Sequence, residues 1–214
     1  MFTNILKKET YELLTTIMND KVFINYFLVG GTALALQLGH RKSIDLDLFT
    51  RNNIDVEKLK KHLVKTYNFK IDYEAENTLK GFINKTMIDC IKYDYEFIKP
   101  IITNDKIRLL SKEDIIPMKL QAIIANGTRI KDFIDIAYLS EYYSLYDMIK
   151  LYKKKYKVNN EIIILKALIY FDDIDYKEKI SMCDKRYKWE IIKERLVNMF
   201  NDQKKVFGSL YNTP

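Results

Sequence analysis

Residues that form disulfide bonds, soft-metal sites and flexible linkers are scarce in this chain. Its 214 residues include two cysteines, two histidines, six glycines and three prolines. Two cysteines are too few for a disulfide framework, and two histidines leave no zinc-ligand spacing. The shortage of glycine and proline excludes collagen-like and low-complexity chains. Any metal bound by this protein is therefore expected to have oxygen ligands.

Long apolar runs are also missing from the sequence. No stretch reaches about 18 uninterrupted apolar residues, which is roughly the length that crosses a bilayer. Lys7 and Lys8 interrupt the N-terminus before a signal-peptide core can develop. We therefore expect a soluble, cytoplasmic protein with no membrane partner.

The composition is otherwise that of a globular, basic protein. Hydrophobic residues make up 48% of the chain, and 16 tyrosines and 11 phenylalanines can fill a substantial core. The formal net charge is +7. Such a charge fits contact with RNA or nucleotides, but a lysine-rich surface is also a common means of keeping a protein soluble.

The pattern of apolar residues predicts two lobes. Over residues 1–110, helical stretches alternate with short strands, which indicates a mixed α/β lobe whose β-sheet is flanked by helices. Residues 111–214 read as helices separated by short polar turns, which indicates a helical C-terminal lobe. The predicted strands are 27–29, 43–49, 69–73, 78–83 and 86–93, and the predicted helices are 4–18, 33–38, 56–67, 113–125, 129–142, 144–155, 160–171 and 187–206.

Two acids in one short strand give the first candidate site. In the run 43–49 polar and apolar residues alternate, so Asp45 and Asp47 are expected on one face while Ile44, Leu46 and Leu48 point into the core. Two neighbouring carboxylates repel each other unless a cation lies between them. The pattern also occurs on solvated strand faces and in metal-dependent sugar transferases.

A glycine pair upstream of the acids suggests a binding site for phosphate. Gly30 and Gly31 follow a predicted strand and precede a predicted helix, which Thr32 is expected to cap and Gly39 to end. Glycine lets backbone N–H groups approach an anion closely, and the helix N-terminus favours negative charge. A tight turn without a ligand would have the same glycines.

A third acid, Asp89, lies in the apolar run 86–91, where burying an unpaired carboxylate would be costly. Asp94 is the rival, but its position at the tyrosine-rich end of the strand indicates a surface residue. Three acids together could hold two divalent cations, as in two-metal phosphoryl transfer.

These motifs resemble those of a known family. The runs 29–36 and 40–49 are similar to the first motif of the AbiEii/AbiGii-type nucleotidyltransferase toxins, within the DNA polymerase beta-like superfamily. A second match comprises residues 108–115, 119–123 and 131–136. The resemblance spans residues 27–139, and the C-terminal 70 residues match no known motif.

The resemblance implies roles for residues at matched positions. It implies Mg²⁺ or Mn²⁺ as cofactor and an NTP as substrate. The implied metal ligands are Asp45, Asp47 and Asp89. The residues implied to lie around the phosphates are Gly30, Gly31, Thr32, Arg41, Ser43 and Lys119. The resemblance also implies that four residues face the site, namely Lys119, Lys131, Asp132 and Asp135, with Lys119 and Asp132 as catalytic residues. Asn126 departs from the family, which often has arginine before this glycine, so substrate specificity can differ.

Several of these residues have structural alternatives. Lys131 and Asp135 are four apart and could form a surface ion pair. Lys119 could extend its ammonium to solvent from an apolar helix face, and Arg41 could cap the preceding helix. The basic, aromatic runs 152–157 and 185–189 suit contact with nucleic acid, but cations at a helix C-terminus would look the same.

Three functions remain open from the sequence. The resemblance favours transfer of a nucleoside monophosphate from an NTP to an acceptor hydroxyl, with RNA or tRNA as acceptor, in a bacterial toxin–antitoxin or abortive-infection system with a possible cognate antitoxin. A small molecule or a protein could be the acceptor instead. A nucleotide- or RNA-binding module that keeps the fold without catalysis is the alternative from another class.

Overall fold

The computed structural model describes residues 1–211, and within that range it divides the chain into two compact units. The first unit contains Met1–Tyr95 and Pro100–Leu110, and the second contains Glu96–Lys99 and the chain from Ser111 onward. The predicted mixed α/β fold is confirmed, since the first unit holds a seven-stranded mixed sheet and the second is built from helices.

The sheet of the first unit has the strand order β3-β4-β5-β2-β1-β7-β6. Strand β2 pairs with β1 antiparallel and with β5 parallel, while β3, β4 and β5 form an antiparallel meander. The strands are β1 (Tyr26–Leu28), β2 (Leu46–Thr50), β3 (Lys70–Ala75), β4 (Thr78–Ile83), β5 (Thr86–Lys92), β6 (Ile102–Asn104) and β7 (Ile107–Leu109).

Three α-helices accompany the sheet: α1 (Lys8–Asn19), α2 (Gly30–Leu38) and α3 (Val56–Tyr67). Asp55 caps α3, because its side chain accepts the Lys58 backbone N–H at 3.0 Å. Gly39 ends α2 in the left-handed conformation, with φ of 70°. The predicted cap at Thr32 is wrong, since α2 begins two residues earlier, at Gly30, with Val29 as its N-cap.

Five helices form the second unit: α4 (Lys112–Ala125), α5 (Ile130–Leu139), α6 (Leu145–Tyr156), α7 (Glu161–Leu168) and α8 (Trp189–Asn201). Their apolar faces meet in a core that includes Ile116, Phe133 and Leu196, all fully buried. All five were predicted, with ends that differ by at most five residues. None of the helices formed by residues 1–211 is long and apolar enough to span a bilayer.

A buried ion pair fixes the start of α4 to α6. Asp114 and Lys155 pair with side chains that are fully inaccessible to solvent. Asp114 also accepts hydrogen bonds from the backbone N–H groups of Ile98 and Lys99 and from the Ser111 hydroxyl. The short segment 96–99 therefore belongs to the helical unit, although the chain returns to the sheet directly after it.

The sequence patterns did not predict the hairpin β6–β7, and they predicted the start of β2 three residues too early. Strands β6 and β7 have three residues each, too few to show a period-2 pattern. Strand β2 begins at Leu46, and Ile44 is 50% exposed, so its predicted place in the core is wrong. Polar and apolar residues also alternate over 43–45, but these residues form an irregular segment that precedes the strand.

Candidate active site

The Gly30 turn lies directly against the Asp47 carboxylate. Gly30 has φ of 66°, a conformation that L-residues with side chains rarely adopt, and a Cβ at this position would collide with Asp47 Oδ2. The Val29 N–H donates to the Asp47 carbonyl at 2.9 Å. Glycine is thus required here by close approach to an acid as well as by the turn.

Asp47 and Asp89 are neighbours in the sheet, because β2 and β5 pair in parallel with these two residues in register. Asp89 is only 6% exposed. Its Oδ2 pairs with Lys80 Nζ at 2.7 Å, while its Oδ1 is buried without a hydrogen-bond partner. The structure therefore brings two of the three predicted acids together and leaves one buried carboxylate oxygen available to a ligand.

Asp45 is placed by hydrogen bonds rather than by the strand. The Thr32 hydroxyl, on a residue that is 1% exposed, donates to the Asp45 carbonyl oxygen. The same hydroxyl oxygen lies 2.6 Å from Ser43 Oγ. Thr32 and Ser43 thus hold the segment that carries Asp45 against the start of α2, which is a positioning role distinct from the predicted contact with phosphate.

The three acids do not form a ready-made metal centre. Within residues 1–211, no group of three or more His, Cys, Asp or Glu side chains is close enough together to hold a metal ion. Cys90, next to Asp89 on β5, is fully buried and points to the opposite face of the sheet; burial and the neighbouring Asp89 charge raise the pKa of its thiol far above its usual range.

The sequence patterns predicted no role in the site for Lys80. Its partner across the β4–β5 pair is Asp89, so the ammonium lies on the same face as the acids. The signal was present in the alternation of 78–83, which places Lys80 on the side opposite Leu79 and Ile83. Only the strand register could connect it to Asp89.

Arg41 is almost fully buried, with 3% of its surface exposed. One of its guanidinium nitrogens, Nη1, donates to the Lys42 carbonyl at 3.3 Å. Gly39 is the C-cap residue of α2, two residues before Arg41.

In the second unit, Lys119 lies between two buried acids. Its Nζ is 2.7 Å from Asp132 Oδ1 and 2.8 Å from Asp135 Oδ2, and all three residues are at most 5% exposed. Lys119 therefore does not extend to solvent. Asp132 Oδ2 is buried without a hydrogen-bond partner, and Arg129 Nε is 3.7 Å from it.

Lys131 is not part of this cluster. Its Nζ pairs with Glu178 Oε1 at 2.7 Å, so the suggested surface ion pair with Asp135 does not form. The motif on α5 thus separates into two buried acids that face Lys119 and one lysine that points elsewhere. Asn126, where the sequence departs from the resembled motif, is the exposed C-cap of α4.

The first basic run divides between core and surface. Tyr152 and Lys155 are buried, the latter in the pair with Asp114, so neither can contact a nucleic acid. Lys153 and Lys150 lie on the outer side of α6 and line a cavity of about 420 Å³ with Tyr146, Gln203 and Lys204. We call this cavity the basic groove.

Most of the chain matches a known protein family. The family model described as nucleotidyl transferase AbiEii toxin, Type IV TA system, matches residues 12–99 and 92–204. These segments include the glycine turn, all three acids and the Lys119 cluster. The chain belongs to this AbiEii family. It is accordingly a nucleotidyltransferase by family, which confirms the resemblance seen in its motifs.

The AbiEii chain is also similar to individual proteins. Uncharacterized protein aq_aa25 of Aquifex aeolicus (strain VF5) is 32% identical over 195 residues, covering 88% of this chain and 93% of the relative. A candidate nucleotidyltransferase from H. pylori superposes with a TM-score of 0.56 at 17% identity, covering 91% of this chain and 94% of the other.

JHP933 from Helicobacter pylori is a further structural neighbour of the AbiEii chain, with a TM-score of 0.55, 17% identity and coverage of 92% of both chains. At these identities the two Helicobacter structures establish the shared fold. The assignment to the AbiEii family rests on the family model.

Proposed function

We propose that this protein transfers a nucleoside monophosphate from an NTP to a hydroxyl group of RNA, releasing pyrophosphate, with a divalent cation as cofactor. The observation that supports this most directly is the side-by-side placement of Asp47 and Asp89 next to the Gly30 turn. A carboxylate pair beside a glycine-initiated helix combines cation ligands with a seat for phosphate.

The donor set fits a hard cation such as Mg²⁺ or Mn²⁺. Asp47 and Asp89 provide carboxylate oxygens, and the buried Asp89 Oδ1 has no hydrogen-bond partner of its own. In our proposal Asp45, held by Thr32 and Ser43, completes the ligand set. A cation bound there would neutralise the triphosphate and stabilise the charge that develops during transfer.

The NTP phosphates would lie at the start of α2. The backbone N–H groups of Gly30 and Gly31 are the first of this helix, where no carbonyl within the helix can accept them. The helix dipole adds positive potential at the same place. We propose that Arg41 adds a fixed positive charge near these phosphates.

We propose that the Lys119 cluster also acts in the reaction. Lys119 pairs with the carboxylates of both Asp132 and Asp135, and Arg129 Nε lies 3.7 Å from the second oxygen of Asp132. Because Lys119 holds Asp132 through Oδ1, the buried Oδ2 remains oriented to accept a hydrogen bond or a proton from an acceptor hydroxyl. Asp135 then positions Lys119. Lys131 has no part in this proposal, since it pairs with Glu178.

The basic groove favours RNA over a small molecule as acceptor. Its three lysines, Lys150, Lys153 and Lys204, exceed its single acid, Glu161. Lys150 Nζ lies 4.2 Å from the centroid of the ring of Tyr146, which also lines the cavity. Clustered ammonium groups of this kind bind phosphate backbones.

The family description supports a toxin that works with an antitoxin. We propose that the activity is harmful to the bacterial cell in whose cytoplasm it occurs, and that a cognate antitoxin counteracts it. Growth after induced expression tests this. Wild-type protein should arrest growth and the Asp47→Asn variant should not; equal arrest by both would contradict a toxicity that depends on catalysis.

The direct test of the activity is labelling of total tRNA with each of the four α-labelled NTPs in the presence of Mg²⁺. Wild-type protein should label RNA with at least one NTP. Asp47→Asn and Asp89→Asn should abolish labelling, while Asp94→Asn should retain it, because Asp94 is an exposed acid paired with Lys92 at the strand end.

The other outcomes separate the alternatives. Labelling of protein alone would replace RNA by a protein hydroxyl as acceptor. Pyrophosphate release that requires an added small molecule would indicate a small acceptor. If no acceptor is labelled, calorimetric titration with each NTP tests for binding. An NTP that binds without turnover would identify a non-catalytic binding module.

A further inference from the structure

A row of four side chains crosses the sheet from the acids to the edge strand. Asp47 is in register with Asp89, Asp89 with Lys80, and Lys80 with Tyr73. Partners in register project from the same face of a sheet. The ion pair between Lys80 and Asp89 shows that this holds here. Tyr73 on β3 therefore shares a face with the acids on β2 and β5.

A second pair lies beside this row on the same face. Phe82 follows Lys80 by two residues on β4, and its partner on β3 is Lys70. Two lysines and two aromatic rings thus alternate over two adjacent strands. We call this group of Lys70, Tyr73, Lys80 and Phe82 the aromatic platform.

The platform is exposed to solvent, whereas the other face of β4 is packed. Tyr73 is 53% exposed and Phe82 is 37% exposed. On the opposite face Leu79 and Ile83 are buried, and Glu74 pairs with Lys60 of α3 at 3.0 Å. Helix α3 therefore covers part of one side of the β3–β4 hairpin, and the platform lies on the other side.

The chemistry of the platform matches single-stranded nucleic acid. Aromatic rings stack on bases of any sequence, and ammonium groups between them contact the phosphates that link those bases. With strands about 4.8 Å apart, β4 is roughly 10 Å and β3 roughly 14 Å from β2, which carries Asp47. A strand of RNA lying on the platform could thus direct one end toward the acids.

We propose that the aromatic platform binds the single-stranded end of the acceptor RNA, with bases stacked on Tyr73 and Phe82 and phosphates on Lys70 and Lys80. This inference rests on the proposed function, for which it identifies an acceptor subsite. RNA is favoured over a protein partner because the cations are interleaved with the rings and the row continues directly into the catalytic acids.

Fluorescence anisotropy with a fluorescein-labelled, single-stranded RNA of 12 nucleotides, about the site size of a binding groove, tests the inference. Tyr73→Ala and Phe82→Ala should each weaken RNA binding by about fivefold or more, as expected for loss of one base–aromatic stack. The matched control is Ile71→Ala, on the same strand, 47% exposed, and paired with Gly81 on the opposite face. It should bind RNA as the wild type does, and NTP binding should be unchanged in all three variants.

Crosslinking adds a measurement that a structural role would not affect. The same RNA with 4-thiouridine should crosslink to peptides from β3 and β4 of the wild-type protein. The inference would be overturned if crosslinks formed only with other peptides, or if both aromatic variants bound RNA with wild-type affinity. It would also be overturned if Ile71→Ala lost as much RNA affinity as the aromatic variants. Labelling of tRNA by the wild-type protein separates the two proposals: if RNA is labelled while the platform tests fail, only the subsite is wrong. If RNA is neither bound nor labelled, both proposals fail.

Discussion

Gly30 illustrates how much of this site depends on a single residue. Its positive φ and its contact with the Asp47 carboxylate are separate demands, and only glycine meets both. The sequence predicted the turn from the glycine pair. The contact with Asp47 could not be predicted, because it depends on how α2 and β2 pack.

We therefore expect Gly30→Ala to lower both stability and activity. The strained backbone and the collision should cost about 1–3 kcal/mol of the free energy of unfolding. Displacement of Asp47 should reduce nucleotide transfer further than this loss of stability explains. Urea denaturation and the tRNA-labelling assay measure the two effects. Gly208→Ala is the control, since a Cβ there meets nothing within 4 Å.

A second residue-scale feature is the Asp20 carboxylate, which accepts hydrogen bonds from three groups. Tyr67 OH donates to Oδ2 at 2.8 Å, His62 Nε2 is 2.6 Å from the same oxygen, and the Val22 N–H donates to Oδ1. Burial by itself raises the pKa of Asp20, but these hydrogen bonds outweigh it and hold the pKa below its usual value.

This predicts a pH dependence of stability with a definite sign. In the unfolded chain Asp20 has its ordinary pKa of about 3.9, so below that pH the unfolded state takes up the proton first and the contribution to stability is lost. Asp20→Asn should be less stable than wild type at pH 5, and the difference should shrink toward pH 2.5. Urea midpoints across this range test it, with Asp72→Asn, an exposed acid on β3, as control. A difference that grows on acidification would contradict the assignment.

At the scale of elements, one face of helix α6 is buried and the other lines the basic groove. Tyr152 and Lys155 face the core of the helical unit, whereas Lys150 and Lys153 line the basic groove. The sequence showed only an unbroken basic run. The helical period of 3.6 residues distributes these neighbours over opposite sides, and which side is buried depends on Asp114 of α4.

Removal of the buried partner on α6 should be strongly destabilising. Lys155→Met leaves Asp114 charged and buried, which should cost roughly 3–5 kcal/mol of the free energy of unfolding. The control on the same helix, Lys153→Met, loses only a partly exposed pair with Glu161 and should cost no more than about 1 kcal/mol. Equal urea midpoints for the two variants would show that the Asp114–Lys155 pair contributes little.

At the scale of the whole molecule, the net charge of +7 bears on binding of the acceptor. Each ammonium group that neutralises a phosphate releases a counterion, so RNA affinity should fall steeply as salt increases. The lysines of the basic groove are those we expect to contribute most to this dependence.

We expect the double substitution Lys150→Ala and Lys204→Ala to make the dependence of log affinity on log salt concentration shallower by about 1.4 for single-stranded RNA. RNA-binding titrations at several salt concentrations measure this slope. The matched control, Lys177→Ala with Lys179→Ala, removes the same charge from exposed residues outside the groove. A slope that changes equally in both would assign the effect to net charge alone.

The sequence by itself determined the mixed α/β class, the helical second half, the glycine turn and the family, because local periodicity and short motifs encode them. It also supplied Asp45, Asp47 and Asp89 as candidates. Only the tertiary structure decided that Asp89 lies beside Asp47 and Lys80, that Lys119 is enclosed by Asp132 and Asp135, and that Lys131 pairs with Glu178. These pairings join residues that are distant in sequence, and strand register and helix packing, which no local pattern encodes, bring them together.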